Sequence, residues 1–190
     1  MPRIITGQAG GIQLETNEHP QMRPTTDRLK EAVFSSLHGK RVYGGLNSFL
    51  DLFAGCGQIG LEAKSRNVKK VVLVEQNRQA IQTIRKNIKL TKLDVKLLAM
   101  NAEQALRQLS NNKEQFDIIY FDPPWSELNT LWAKFDQYIF NLLNDDGQVM
   151  IEHSRRIEPE FDKNLWTVLK HRNYGMNSLL VLTVKEDQLA

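Results

Sequence analysis

The chain has 190 residues, 41% of them hydrophobic, and a formal net charge of +3, enough for one domain with a real core. No apolar run approaches the roughly 20 residues of a membrane-spanning helix, and Met1-Pro-Arg-Ile-Ile-Thr-Gly lacks the apolar core and cleavage site of a signal peptide, so a cytoplasmic protein is expected. One cysteine, Cys56, leaves no partner for an internal disulfide or a cysteine-based zinc site, and His19, His38, His153 and His171 show no metal-ligand spacing, so no metal is expected.

Residues 1–45 form an extension of their own. Ile4, Ile5, Ile12 and Leu14 lie in short apolar runs around Gly7, Gly10 and Gly11, which predicts a small hairpin. Leu29, Val33, Phe34 and Leu37 then follow a helical period, with Thr25, Thr26 or Asp27 as N-cap. Gly39, Gly44 and Gly45 end that helix. Arg23 and Arg28 flank the cap, and paired arginines at a loop–helix junction can bind phosphate.

Residues 46–190 form the main domain, and strand and helix patterns alternate from 46 to 153. Strands are predicted at 48–53, 70–75, 95–100, 116–121 and 148–153. Helices are predicted from the glycine loop to about Asn67, from Arg78 to Leu90, around Ala105, Leu106 and Leu109, and from Leu128 to Leu143. Asp145-Asp146-Gly147 reads as a turn. The segments 165–170 and 178–184 are joined through Asn173-Tyr174-Gly175-Met176-Asn177, which implies an antiparallel hairpin. The expected fold is α/β and Rossmann-like: a mainly parallel seven-stranded sheet with a C-terminal antiparallel hairpin and helices on both faces.

Charge is unevenly spread. Between Lys64 and Lys96 ten Lys and Arg stand against Glu75 and Asp94, a local net of +8 in a chain of +3. Such a stretch either collects phosphates or forms solvated helix faces.

Two motifs carry chemistry. Gly55-Cys56-Gly57-Gln58-Ile59-Gly60 has the spacing G-x-G-x-x-G between a strand and a helix, and Glu75 ends the next strand. In a nucleotide-binding α/β unit the glycines admit a ligand to the backbone and the acid takes ribose hydroxyls. Asp51, just ahead of the loop, either orders it or meets a ligand amine. The second motif is Phe121-Asp122-Pro123-Pro124-Trp125. Neither proline has an N–H for a ladder, so the strand stops at Asp122. One carboxylate, two carbonyls and an aromatic face are left at the carboxyl end of a strand, which suits a planar group carrying an exocyclic amine. Alternatively Trp125 plugs a gap in the core. A dehydrogenase has no use for Asp-Pro-Pro-Trp, and this chain has no room for a second, nicotinamide-binding half.

Asp51-Leu-Phe-Ala-Gly-Cys-Gly, Val74-Glu75-Gln76 and Asp122-Pro-Pro-Trp together resemble a class I methyltransferase acting on exocyclic amines. Arg23-Pro-Thr-Thr-Asp-Arg-Leu-Lys-Glu-Ala-Val-Phe34, with Arg3-Ile-Ile-Thr-Gly, is similar to the bacterial 16S ribosomal RNA guanine-N2 methyltransferases of the RsmD type. Trp125 stands where that family usually has Tyr or Phe, and Ala9-Gly10-Gly11-Ile12 lacks its Arg-Gly-Arg charge.

The resemblance implies S-adenosyl-L-methionine as cofactor, bound by Asp51, Phe53, Gly55, Gly57, Glu75, Gln76, Asn101, Ala102 and Asp122. Asp122, Pro123, Pro124 and Trp125 would be catalytic, with Trp125 stacking on a guanine whose 2-amino group faces Asp122 and the Pro123 carbonyl. Arg23, Thr25, Thr26, Arg28 and Trp125 would contact the RNA. The implied partner is 16S rRNA in the small ribosomal subunit or its assembly intermediate, met by a monomer. Rival acceptors are adenine N6 in DNA and a protein glutamine; a non-catalytic nucleotide- or RNA-binding module is the other alternative.

Overall fold

The computed structural model describes residues 2–16, 27–36 and 46–185. Seven strands are ordered β3-β2-β1-β4-β5-β7-β6 in one sheet. The chain divides into two compact units, Met1–Ala102 and Glu103–Ala190. No helix among the described residues is long and apolar enough to cross a membrane.

In the first unit the expected hairpin is present as a minimal one. A single antiparallel bridge joins Arg3 and Gln13. The Ile4 amide donates to Ile12 at 2.9 Å and the Leu14 amide to Pro2 at 2.8 Å. Ile4, Ala9 and Leu14 pack with Leu61 and Leu93 into one cluster. Helix α1 spans Asp27–Ser36 and buries Leu29, Ala32, Val33 and Phe34. The predicted caps Thr25 and Thr26, and the glycines at 39, 44 and 45, lie outside the described residues.

Strands β1 (Ser48–Asp51), β2 (Lys70–Glu75) and β3 (Lys96–Ala99) are parallel and in register, Leu50 opposite Val72 and Leu73 opposite Leu97. Val71, Val72, Leu73 and Val74 are all buried, as an unbroken apolar run requires when both faces are covered. Helix α2 (Gln58–Ser65) follows β1. Helix α3 (Arg78–Thr91) is capped by Asn77, whose side chain accepts the Gln79 and Ala80 amides at 2.9 and 3.1 Å.

Helix α4 (Ala102–Asn111), which lies in the second unit from Glu103 onward, leads to β4 (Phe116–Phe121), which is buried throughout. Helix α5 (Leu128–Leu142) packs through Trp132, whose ring lies 5.5 Å from Phe121 and 5.5 Å from Trp166. Strand β5 (Leu143–Ser154) pairs parallel with β4 and antiparallel with β7 (Asn177–Val184), and β6 (Trp166–Tyr174) completes the hairpin.

Strand β1 ends at Asp51 rather than at residue 53, β3 is shorter than the predicted 95–100, and two further details differ from the sequence reading. Asp145-Asp146-Gly147 is not a separate turn but part of β5, where the register jumps from Phe116↔Leu143 to Ile118↔Gln148 and the extra residues bulge outward. The hairpin strands run to Tyr174 and from Asn177, leaving Gly175-Met176 as a two-residue turn. Gly175 supplies its positive φ of 69°.

Candidate active site

The first unit carries the glycine loop. Asp51 ends β1 and is 2% exposed. Its Oδ2 accepts the Gly60 amide at 3.1 Å, meeting one of the unpaired N–H groups in the first turn of α2. Of the two roles open to Asp51, ordering the loop–helix junction is therefore observed. The loop closes on itself through Gly57 N–H to Ala54 at 2.7 Å, and the Ala54 amide donates to Val74 of β2 at 2.9 Å.

The three glycines do different things. Gly60 permits close helix–strand packing, since a Cβ there would meet Leu73 Cδ2 at 2.0 Å. Gly57 has φ 83°, and its Cβ side faces Ile84, Leu61 and Leu73. Gly55 has φ 57°, and a Cβ there would meet nothing within 4 Å. Its surroundings are open, as a backbone approached by a ligand needs.

Glu75 closes the loop from the next strand. Its Oε2 accepts the Gly55 amide at 2.9 Å, and its Oε1 accepts the Gln76 and Asn77 amides, both at 2.8 Å. Three backbone donors hold the carboxylate in one orientation, half-buried at the carboxyl end of β2. Phe53, Asn101 and Ala102 are half-buried and Gln76 is exposed. All the expected cofactor residues except Asp122 thus lie at or just beyond the carboxyl ends of β1, β2 and β3. The donor set suits a nucleoside: an oriented carboxylate for hydroxyls and an open glycine backbone beside it. Burial pushes the Cys56 thiol up from its ordinary value, so this loop cysteine is not activated as a nucleophile.

The second unit carries Asp122-Pro123-Pro124-Trp125. Strand β4 stops at Phe121 as expected, Asp122 is half-buried and Pro123 is buried. Trp125 is half-buried and opens a 3₁₀ turn, Trp125–Glu127. The Pro124 carbonyl accepts the Glu127 amide at 2.8 Å. Of the two carbonyls read from the sequence, that one belongs to the turn.

Arg28 is exposed on the first turn of α1; Arg23, Thr25 and Thr26 lie outside the described residues. Asp27 joins α1 to the N-terminal hairpin, pairing with Lys30 at 3.0 Å and Arg3 at 3.1 Å. The Lys30 bond, with that of Arg3, holds the Asp27 carboxyl below its ordinary range. Within the basic stretch, Lys64 donates to the Lys69 carbonyl at 2.8 Å, Arg66 pairs with Glu62 at 2.6 Å and Lys86 with Glu15 at 3.1 Å. Part of that charge therefore serves internal bonding.

Two residues escaped the sequence reading. Asn87, fully buried on α3, donates to the Cys56 carbonyl at 2.9 Å and the Glu15 carbonyl at 3.0 Å, and accepts the Glu15 amide at 2.8 Å. It ties the glycine loop to the N-terminal segment. Glu62, also fully buried, accepts the Ile5 and Thr6 amides at 2.6 and 3.2 Å. The available signal for Asn87 was a polar residue in the helical column Ala80, Ile84, Asn87, Thr91.

A family model described as Conserved hypothetical protein 95 matches residues 2–183. A protein of Escherichia coli K12 named Ribosomal RNA small subunit methyltransferase D is 34% identical over 167 residues, covering 87% of this chain and 78% of that one. Its namesake in Haemophilus influenzae is 30% identical over 183 residues, covering 93% of this chain and 90% of that one. Among solved structures, a hypothetical protein of Thermus thermophilus aligns with a TM-score of 0.83 at 26% identity, covering 97% of this chain and all of that one.

Proposed function

We propose that this chain, which belongs to the family described as Conserved hypothetical protein 95, is an S-adenosylmethionine-dependent methyltransferase of 16S ribosomal RNA acting on the exocyclic N2 amine of a guanine. The observation that carries the reading is Asp122, set half-buried at the carboxyl end of β4 by the two prolines that stop the strand. The names of the Escherichia coli and Haemophilus influenzae relatives support RNA of the small subunit as substrate.

When bound, S-adenosylmethionine supplies an electrophilic methyl group on a sulfonium. Glu75, Gly55 and Gly57 would hold its nucleoside and methionine parts. Asn101 and Ala102 would meet the adenine. Trp125 would stack on the target guanine, which must leave its own stack to be reached. Asp122 and the Pro123 carbonyl would accept hydrogen bonds from the 2-amino group.

An aryl amine is a poor nucleophile because its lone pair is delocalised into the ring. Orienting that lone pair, and placing a carboxylate against the cation that develops on nitrogen, lowers the barrier. Bound S-adenosylmethionine would supply the methyl group to the oriented amine and leave as S-adenosylhomocysteine, and the surplus amine proton would go to solvent. Asp122→Ala is expected to abolish transfer while leaving cofactor affinity within a few-fold; loss of both would make Asp122 chiefly a cofactor ligand.

A further inference from the structure

The β6–β7 hairpin has a charge pattern that the proposed site does not use. From Lys163 to Lys185 there is no Asp or Glu, while Lys163, Lys170, Arg172 and Lys185 are all present. Arg155 and Arg156 leave the end of β5 exposed. Among the described residues Arg155, Arg156 and Arg172 make no ion pair, whereas Arg3, Lys30, Arg66, Lys86, Arg107 and Lys134 each do. Burial, and then the charge of Arg172, pushes the Lys170 ammonium below its ordinary value. Like charges have been placed together here.

The register places this charge at the working end of the unit. Phe121 is opposite Ile151, Ser154 is opposite Asn177, and Asn177 is opposite Tyr174. The Arg155 amide donates to the Met176 carbonyl at 2.9 Å. The hairpin tip and the Arg155-Arg156 pair therefore lie at the end of the sheet where β4 gives way to Asp122-Pro123-Pro124-Trp125. Tyr120 on β4 donates to Glu152, which accepts Asn177 Nδ2 at 2.6 Å, so a buried bridge ties the strand before Asp122 to the strand after the tip. Lys170, Arg172 and Tyr174 alternate with His171 and Asn173 and so share one face. The acids Glu158 and Glu160 line a cavity with His171 on the other side.

We infer that Arg155, Arg156, Lys170 and Arg172, with Tyr174 and the 52% exposed Met176 at the tip, form a surface that grips the phosphate backbone of the RNA flanking the target base. The inference rests on the reading of the protein as an RNA methyltransferase and adds where the substrate is held. Guanidinium forks match phosphate oxygens in pairs. An RNA strand supplies the counter-charge that Arg155, Arg156 and Arg172 lack among the described residues. A second copy of this chain does not: pairing two β6 edge strands would set Lys170 and Arg172 against their own like.

The test uses the triple variant R155A/R156A/R172A, assayed on small ribosomal subunits lacking the methyl group, beside the wild type. KM for the subunits is expected to rise tenfold or more, with kcat at saturating subunits and cofactor affinity unchanged. The slope of log affinity against log salt should shrink by roughly 2–3, about one per lost phosphate contact, and the three-Lys variant should recover most of it. If the wild type methylates subunits and the triple variant matches it in KM and salt slope, the hairpin assignment falls alone. If the wild type neither binds nor methylates RNA, the assignment falls together with the proposed function. A wild-type dimer that Met176→Glu dissociates would give the face to a second copy and overturn the assignment.

Discussion

The Glu75 carboxylate accepts the Gly55 amide at 2.9 Å, so the residue that ends β2 also sets the conformation of the loop after β1. With its other oxygen on the Gln76 and Asn77 amides, Glu75 is oriented before any ligand arrives. Glu75→Ala and Glu75→Gln are both expected to weaken S-adenosylmethionine binding roughly ten- to hundred-fold, the value of charge-assisted hydrogen bonds lost from a preorganised site. Isothermal titration of each variant measures this, and unchanged affinity would remove Glu75 from the site.

Asn87 links the same loop to the chain start. Replacing its amide by a methyl strands the Cys56 carbonyl and both backbone groups of Glu15. Asn87→Ala should cost about 1–3 kcal/mol in urea unfolding. Cofactor affinity should fall with it, whereas Leu90→Ala, at a half-exposed position on the same helix, should change neither.

Gly7 is held by sterics. Its φ is +91°, and a Cβ would lie 1.8 Å from the Ser65 carbonyl oxygen. Gly7→Ala must push the hairpin off α2, at a cost of about 2–4 kcal/mol. Calorimetry should show a lower Tm; an unchanged Tm would mean that the hairpin contributes nothing to the stability of this unit.

His153 gives the fold a pH dependence. Its Nδ1–H donates to Ser154 at 2.9 Å, leaving Nε2 to accept from His171 at 3.1 Å. Burial, with His171 adding to it, holds the His153 pKa below the ordinary 6.5, against the opposing pull of the Ser154 carbonyl. Between those two values the unfolded chain binds the proton and the folded one does not. This contribution is fully present above about pH 6.5 and is lost as the pH falls toward the depressed folded value. Tm should drop between pH 7.5 and 5.5, and His153→Gln should flatten the slope. An equal slope in the variant would place the titration elsewhere.

Sequence legibility followed the range of the interactions. The strands at 70–75 and 116–121 were readable to the residue, because an unbroken apolar run flanked by polar residues has few other uses. The glycine spacing and the end of β4 before Asp122-Pro123-Pro124 were readable because each acts through its own backbone or its neighbours; Glu75 was readable only as the end of β2, its bond to the Gly55 amide 20 residues away not being legible. The family resemblance read from Arg3–Gly7, Arg23–Phe34 and the two motifs is borne out by the match over residues 2–183. The roles of Asn87 and Glu62 were not legible: their partners are 31 to 72 residues distant for Asn87 and 56 to 57 for the Glu62 amides. The length of β6 was missed because an edge strand carrying Lys170-His171-Arg172-Asn173 lacks the apolar alternation that marks a half-buried one.

The central claim is methyl transfer to a guanine amine, and one assay addresses it. Protein, isotope-labelled S-adenosylmethionine and small ribosomal subunits lacking the modification are incubated, and the RNA is digested to nucleosides for mass spectrometry. The account predicts label in N2-methylguanosine at a single site, absent with Asp122→Ala. Tight cofactor binding with no label in RNA, or label in another nucleoside, would contradict it and direct attention to DNA adenine or protein glutamine as the acceptor.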